Sequence, residues 1–225
     1  MIFARRPAAA ALVAVLAACS ADPSPTPPPP CPTQAPSLAS AQATLEDARL
    51  ATVTVTGAVE GEFSIALYGD EAPLATANFV SLARCGFYDG QWFHRILAGF
   101  VIQAGDPGTK THDRDWAGLG KGGPGYGFEI EPPAPGLRYD RYTVAMANDR
   151  VVNGSQWFVC LTDLDGQLRA VGVYTIFGAV VSGTNVIDEI AAVPVNDPEV
   201  GVPLEQVTIE RIEISAAPVP SPSDE

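Results

Sequence analysis

Phe93-His94-Arg95-Ile96-Leu97-Ala98-Gly99-Phe100-Val101-Ile102-Gln103-Ala104-Gly105-Asp106 lies near the middle of the 225-residue chain. It contains two short apolar runs, residues 93–97 and 100–103, separated by a glycine, which is typical of two strands joined by a turn. Neighbouring side chains of a strand point to opposite faces of the sheet. We therefore expect the His94 side chain to lie on the face opposite Arg95 and to have a structural role.

Similar apolar runs recur on both sides of this segment, with glycine, proline and aspartate between them. They cover residues 52–56, 63–68, 143–147, 156–161, 175–181 and 207–214. Residues 72–83 and 186–192 have helical spacing instead. Many short strands and two helices predict a mainly β domain over residues 50–215, a closed antiparallel barrel with helices over its ends.

Four segments, in matching order and spacing, resemble the motifs of cyclophilin-type peptidyl-prolyl cis/trans isomerases. They are the quoted segment 93–106, Gly122-Gly123-Pro124-Gly125-Tyr126 with Phe128-Glu129, Met146-Ala147-Asn148 with Asn153-Gly154-Ser155-Gln156-Trp157-Phe158, and Phe177-Gly178. The resemblance covers residues 52–214. It implies an eight-stranded antiparallel β-barrel capped by two α-helices, with the active site on the outside of the barrel because its interior is filled by side chains.

The resemblance also implies the reaction, which is rotation about an X–Pro amide bond against a barrier of ~18–20 kcal/mol. Arg95 matches the catalytic donor, which would hydrogen-bond the proline nitrogen when the amide is twisted. The implied substrate-binding residues are Phe100, Val101, Gln103, Ala147, Asn148, Gln156, Phe158, Leu164 and Tyr174. Four of these, Phe100, Val101, Phe158 and Leu164, match an apolar proline pocket. We expect no cofactor and no metal site.

The sequence departs from the family pattern near the implied site. Tyr174 stands where many relatives have histidine, and Asp163 falls near a tryptophan that touches cyclosporin in the best-known members. We therefore expect weak cyclosporin binding. Asp149 adds a negative charge beside Asn148, so acidic peptides should be poorer substrates. The segment 107–121 is longer than in compact bacterial relatives and is expected to alter access to the groove.

The N-terminal region is typical of an exported bacterial lipoprotein. Residues 1–18 combine Arg5 and Arg6 with a short apolar run, and Leu16-Ala17-Ala18-Cys19 resembles a lipobox. Cys19 would then be lipidated, holding the protein on the extracytoplasmic face of the cell membrane. Residues 19–49 are interpreted as a proline-rich linker, in which 37–49 is compatible with either a short helix or more linker. Residues 216–225 form a second Pro/Ser-rich segment, interpreted as a disordered tail.

The charge and the cysteine content of the chain limit which partners and which disulfides are possible. The net charge of −13 becomes about −15 once residues 1–18, with two arginines and no acid, are removed. Such a chain repels phosphates, so we expect no nucleic acid partner and membrane contact through the lipid alone. Nothing in the sequence requires more than a monomer. Besides Cys19 there are Cys31, Cys85 and Cys160, so at most one internal bridge can form; Cys85 with Cys160 is one option.

Three functions are compatible with these observations. The first is an isomerase that acts on proline-containing segments of exported proteins. The second is a non-catalytic module that holds such segments in the same groove. The third is a structural lipoprotein that keeps the fold and binds no ligand. The intact set of Arg95, Phe100, Gln103 and Phe158 favours the first.

Overall fold

The computed structural model describes residues 27–216. All eight predicted strands are present within this range. They are β1 (Leu50–Gly57), β2 (Gly61–Leu67), β3 (Arg95–Leu97), β4 (Val101–Ala104), β5 (Thr143–Asn148), β6 (Asn153–Cys160), β7 (Ile176–Ser182) and β8 (Val207–Ser215). The described residues also contain four α-helices. They are α1 (Leu38–Thr44), α2 (Pro73–Arg84), α3 (Asp165–Val171) and α4 (Thr184–Ala191).

The strands form one antiparallel sheet in the order β3-β4-β6-β5-β7-β2-β1-β8. The prediction of a closed barrel is wrong, because β3 and β8 remain the two ends of the sheet. A single bridge between Trp92 and Thr208 and a few backbone hydrogen bonds from residues 90–93 to β8 connect the ends. Because β3 pairs with β4 alone and β8 with β1 alone, the sheet is an open, curled half-barrel.

Side-chain alternation divides the sheet residues between two apolar clusters. Along β6, Trp157 and Val159 enter the large inner core, whereas Phe158 and Cys160 enter a smaller cluster on the outer face. Strands β4, β5 and β7 divide in the same way. The smaller cluster contains Val101, Tyr139, Ala145, Phe158, Cys160, Leu164, Leu168 and Ile176. The outer face of the sheet is therefore apolar locally, as the family resemblance implies for an active site there.

The helices partly match the prediction. Predicted helix 72–83 is α2, which starts at Pro73 because proline at the first position loses no hydrogen bond. Predicted helix 186–192 corresponds to α4. Helix α3 was not predicted; it places Leu168 one turn after Leu164, with both side chains buried in the outer cluster. The described residues therefore contain two more helices than the two that were predicted.

Residues 31–45, here called the N-terminal strap, are attached to the rest of the domain by a disulfide and by packing contacts. Cys31 forms a disulfide with Cys85, the residue that ends α2. Residues 37–49, left open between helix and linker, contain α1, whose Ala41 is buried in the main core. Arg84 donates hydrogen bonds to the Thr44 carbonyl at 3.1 Å and to Asp47 at 2.6 Å. The folded body therefore begins before residue 50, inside the predicted 19–49 linker.

The cysteine pairing also excludes a Cys85–Cys160 bridge. Cys160 is a free, buried thiol on the outer face of β6, whereas Cys85 ends a helix that packs against the inner core. Burial raises the pKa of the Cys160 thiol to about 12, so it stays protonated and behaves as a small apolar side chain.

Some predictions lie outside the described residues. The export signal 1–18, the lipidation site Cys19 and tail residues 217–225 belong to this group. Between residues 27 and 216 no helix combines the length and the apolar character needed to cross a bilayer.

Candidate active site

The strand registers align the central site residues across the outer face. Arg95 of β3 is opposite Gln103 of β4, Gln103 is opposite Phe158 of β6, and Phe158 is opposite Ala145 of β5. Directly opposed residues of neighbouring strands share a face of the sheet. A charged donor, an amide and an aromatic ring therefore lie side by side on a rigid surface.

A pocket of about 250 Å³ opens beside this row of residues. Eight of the ten predicted catalytic and substrate-binding residues line it together: Arg95, Phe100, Val101, Gln103, Ala147, Asn148, Phe158 and Tyr174. Leu168 also lines it, which sequence reasoning missed. The spacing of Leu164 and Leu168, four residues apart, was the available signal for that helix face.

Leu164 has a different position from the one implied. It does not line the pocket but is buried in the cluster beneath it, and its backbone N–H donates to the Tyr139 carbonyl at 2.8 Å. Tyr139 in turn donates from its hydroxyl to the Tyr174 carbonyl at 2.7 Å and accepts from the Tyr174 N–H at 3.1 Å. These residues form a second layer that fixes the pocket wall.

Arg95 has the environment expected of an available donor. It is half-buried, and no carboxylate among residues 27–216 forms a salt bridge with it. Burial lowers the pKa of Arg95 below its ordinary value, and nearby Tyr174 acts in the opposite direction. The guanidinium nevertheless stays protonated, as arginine does in proteins. Its closest side-chain contact is a long one, 3.5 Å from Nη1 to the Oε1 of Gln103.

Gln156 lies in a second, larger groove next to the pocket. The groove holds about 750 Å³ and shares Gln103, Ala147 and Asn148 with the smaller pocket. The Gln103 amide donates to Gln156 Oε1 at 2.9 Å, and Gln156 Nε2 donates to the carbonyls of Gly120 and Gly122 at 3.0 and 2.8 Å. Gln156 therefore joins the row of residues at Arg95 to the glycine-rich wall of the groove.

The long segment 107–121 ends at this wall. Buried Asp106 accepts hydrogen bonds from the Gly108 N–H at 2.8 Å and the Gly120 N–H at 2.6 Å, which closes the segment into a loop. Trp116 stacks on His112 with ring centroids 4.0 Å apart. The loop thus forms part of the groove wall, where its effect on substrate access remains a prediction.

Asn148 uses its side chain to join two loops beside the pocket. Its Nδ2 donates to the Val173 carbonyl at 2.9 Å, and its Oδ1 accepts from the Arg150 N–H at 3.0 Å. The pairing of β5 with β6 shifts between Met146 and Asn148, an irregularity of the kind that re-aims residues at active sites. That Asn148 meets a peptide through its main chain stays a prediction.

Of the residues that differ from the family pattern, Tyr174 lines the smaller pocket and Asp149 lines the larger groove, whereas Asp163 lines neither. The Tyr174 ring packs edge-on against Phe158, with centroids 5.6 Å apart. Asp163 is exposed and lies 3.2 Å from Arg138, which also contacts Asp165 of α3 at 3.3 Å.

His94 directly precedes β3, and its buried ring lies beside Gly120. Its position on the face opposite Arg95 stays a prediction. His94 is 3% exposed, and neither ring nitrogen has a hydrogen-bond partner among the described residues. Burial lowers the pKa of His94 from its ordinary 6.5 to about 4, although nearby Asp106 opposes the shift. The ring is thus neutral near pH 7 and is not placed to act on a ligand in the pocket.

Comparisons with known proteins agree with this arrangement. A family model described as cyclophilin type peptidyl-prolyl cis-trans isomerase/CLD matches residues 50–214. The peptidyl-prolyl cis-trans isomerase of Helicobacter pylori is 38% identical over 134 residues, which cover 58% of this chain and 75% of that protein. Peptidyl-prolyl cis-trans isomerase A of Mycobacterium tuberculosis is 38% identical over 188 residues, which cover 74% of this chain and 94% of that one.

Solved structures with the same fold include a cyclophilin-type isomerase from Cryptosporidium parvum. It has a TM-score of 0.64 and 28% identity, covering 76% of this chain and 99% of that one. A second structure of that protein, obtained in the presence of the dipeptide Ala-Pro, has a TM-score of 0.62 and 29% identity, covering 73% and 98%. Since the family match spans nearly the whole folded body, the chain belongs to the cyclophilin-type peptidyl-prolyl cis-trans isomerases.

Proposed function

We propose that Arg95 is the catalytic donor of this isomerase and that the pocket beside it binds the proline ring. One observation carries the proposal. A half-buried guanidinium without a carboxylate partner in the described chain faces the same outer surface as Gln103 and Phe158, at the edge of an apolar pocket. An apolar slot for the ring and a single fixed cation beside it are the two elements that the reaction needs.

The mechanism follows from the amide bond. Resonance holds the X–Pro bond planar, and twisting it removes the conjugation and returns a lone pair to the proline nitrogen. A hydrogen bond donated by Arg95 to that nitrogen is stronger in the twisted state than in either planar state, so it lowers the barrier. The pocket residues Phe100, Val101 and Phe158 hold the ring while the preceding carbonyl rotates. Gln103 can donate a hydrogen bond to this carbonyl.

The activity of Arg95→Ala tests the catalytic role. Loss of one preorganised donor should reduce kcat/KM by about 100-fold on an X–Pro peptide. Arg95→Lys is the matched control, because it retains the charge but loses the planar fork of donors. If Arg95→Ala were as active as the wild type, the donor mechanism would be wrong. If the wild type bound peptide without accelerating isomerisation, the chain would be a binding module.

The clients are proposed to be exported proteins, and the anchor a lipid on Cys19. The Cys31–Cys85 disulfide supports this location, because such bonds persist in oxidising compartments outside the cytosol. The bridge also shortens the proposed spacer, which would end at Cys31 instead of Pro36. Mass spectrometry of the mature N-terminus tests the anchor: a lipid-modified Cys19 is expected, and an unmodified residue at any other position would contradict it.

A further inference from the structure

Exposed valines are concentrated beside the pocket. Seven large apolar side chains are exposed among the described residues, and four of them are valines close to Asn148. Val151 at 75% and Val152 at 38% lie on one loop, and Val171 at 54%, the last residue of α3, is followed by Val173 at 46% on a second loop. We call these four residues the valine rim. Single exposed apolar residues are ordinary, whereas a group of them in one place marks an interaction surface.

Hydrogen bonds place both loops next to Asn148. Its side chain donates to the Val173 carbonyl on one side and accepts from the Arg150 N–H on the other. Val152 lines the larger groove together with Asn148. Val171 follows Leu168, a residue of the smaller pocket, by three positions on α3, and so lies on the same side of that helix. The rim therefore continues the surface of both pockets.

The loop that carries Val151 is held in one shape before any ligand binds. Arg150 has a φ of 74°, a left-handed conformation that residues other than glycine seldom adopt. Asp149 Oδ1 accepts hydrogen bonds from the N–H groups of Val151 and Val152, both at 2.9 Å, which stabilises the turn. Because the loop is fixed in this way, the two valines stay exposed to solvent and do not fold back onto the domain.

We propose that the valine rim binds aliphatic or aromatic side chains on either side of the proline, so that the preferred substrate is an apolar, extended segment. The inference rests on the proposed function of the pocket and adds a substrate class to it. Continuity with the pockets indicates a peptide as the occupant, since a chain whose proline lies in the smaller pocket must pass over Ala147 and Asn148. The two charged residues that precede Val151, Asp149 and Arg150, have opposite signs, so apolar contact is the main attraction that the loop offers.

Binding of two matched peptides tests the proposal. Both contain a central Ala-Pro, one with valine and leucine around it and the other with serine at the same positions. The affinity of wild type for the apolar peptide should be higher by about tenfold, from burial of roughly 50 to 60 Å² at the rim. In Val151→Ser/Val173→Ser the preference should fall to about twofold. Leu38→Ser, an exposed leucine on α1, is the control and should keep the full preference, as should Val151→Leu.

Isomerisation of the same peptides separates this inference from the proposed function. An unchanged affinity ratio in the double variant overturns the valine rim, whether or not the protein is active. If wild type binds both peptides but does not accelerate their isomerisation, the proposed isomerase mechanism is wrong. The ratio of the two affinities still tests the valine rim in that case. A dimer that forms in sedimentation experiments and dissociates on Val151→Ser would instead show that the rim contacts a second copy, and would also overturn the proposal.

Discussion

Arg95 and Gln103 face each other across β3 and β4, with Nη1 of the arginine 3.5 Å from Oε1 of the glutamine. The other end of the Gln103 amide donates to Gln156, so its orientation is fixed. Gln103 therefore directs its oxygen to the guanidinium and accepts only weakly from it. This geometry keeps Arg95 aimed along the surface without neutralising its charge, and it predicts that the two residues act together.

Gln103→Ala is expected to lower kcat/KM by about tenfold, the effect of losing one hydrogen bond to a charged group. Combined with Arg95→Ala it should cost less than the product of the two single effects, because groups that act as a unit are not additive. Isomerisation kinetics on a short X–Pro peptide measure all three variants. Strict multiplication of the two single effects would show that Gln103 acts independently of Arg95.

The Cys31–Cys85 bridge should stabilise the folded domain. It closes a loop over a sequence separation of 54 residues. Removing such a bridge costs about 2–4 kcal/mol, largely through the greater freedom of the unfolded chain. Urea unfolding of wild type with and without reductant measures the difference. The Cys31→Ser/Cys85→Ser variant is the control, since reductant should leave its midpoint unchanged; equal stability of oxidised and reduced wild type would contradict the prediction.

His94 should make the fold sensitive to acid. Its folded-state pKa of about 4 lies below the ordinary 6.5, so the unfolded chain binds a proton first as the pH falls. The stabilisation is complete above pH 6.5 and is lost between there and pH 4, by about 3 kcal/mol in total. His94→Phe, which keeps a buried ring without a titrating group, should lose less stability over this range. If the free energy of unfolding fell by the same amount in wild type and in His94→Phe between pH 6.5 and pH 4, His94 would not be the cause of the acid sensitivity.

Cyclosporin should bind weakly, because Asp163 falls near the position at which the best-known relatives are expected to have a tryptophan. The exposed carboxylate, 3.2 Å from Arg138, gives an apolar ligand no surface to pack against. Asp163→Trp should tighten binding by about tenfold or more, the contribution of one buried aromatic side chain. Asp163→Asn should have little effect, because it removes the charge without adding apolar surface. Calorimetry measures both, and tight binding by wild type would refute the prediction.

Asp149 should disfavour acidic peptides. Its hydrogen bonds to the N–H groups of Val152 and Val151 lower the pKa of its carboxyl group, so it is ionised near pH 7 at the edge of the larger groove. Matched peptides that differ only in a glutamate or lysine near the proline should therefore differ in kcat/KM, by about two- to fivefold at low salt. Asp149→Asn keeps an acceptor for the turn and should remove the difference. Equal turnover of both peptides by wild type would contradict this role.

Much of the fold could be predicted because its signals are local. Short apolar runs between glycine, proline and aspartate located all eight strands, and the family resemblance named eight of the residues that line the pocket, from Arg95 to Tyr174. Alternation along a strand depends only on backbone geometry.

Other features depend on contacts between segments that are far apart in the sequence, and local sequence patterns do not predict such contacts. The partner of Cys85 is 54 positions away in the strap, and the sheet stays open because its end strands β3 and β8 do not pair. Leu168 reaches the pocket only because α3 packs on the outer cluster. The valines on two separate loops form one rim only where the Asn148 side chain joins those loops. Such contacts follow from packing in three dimensions, where each segment's position is set by all the others.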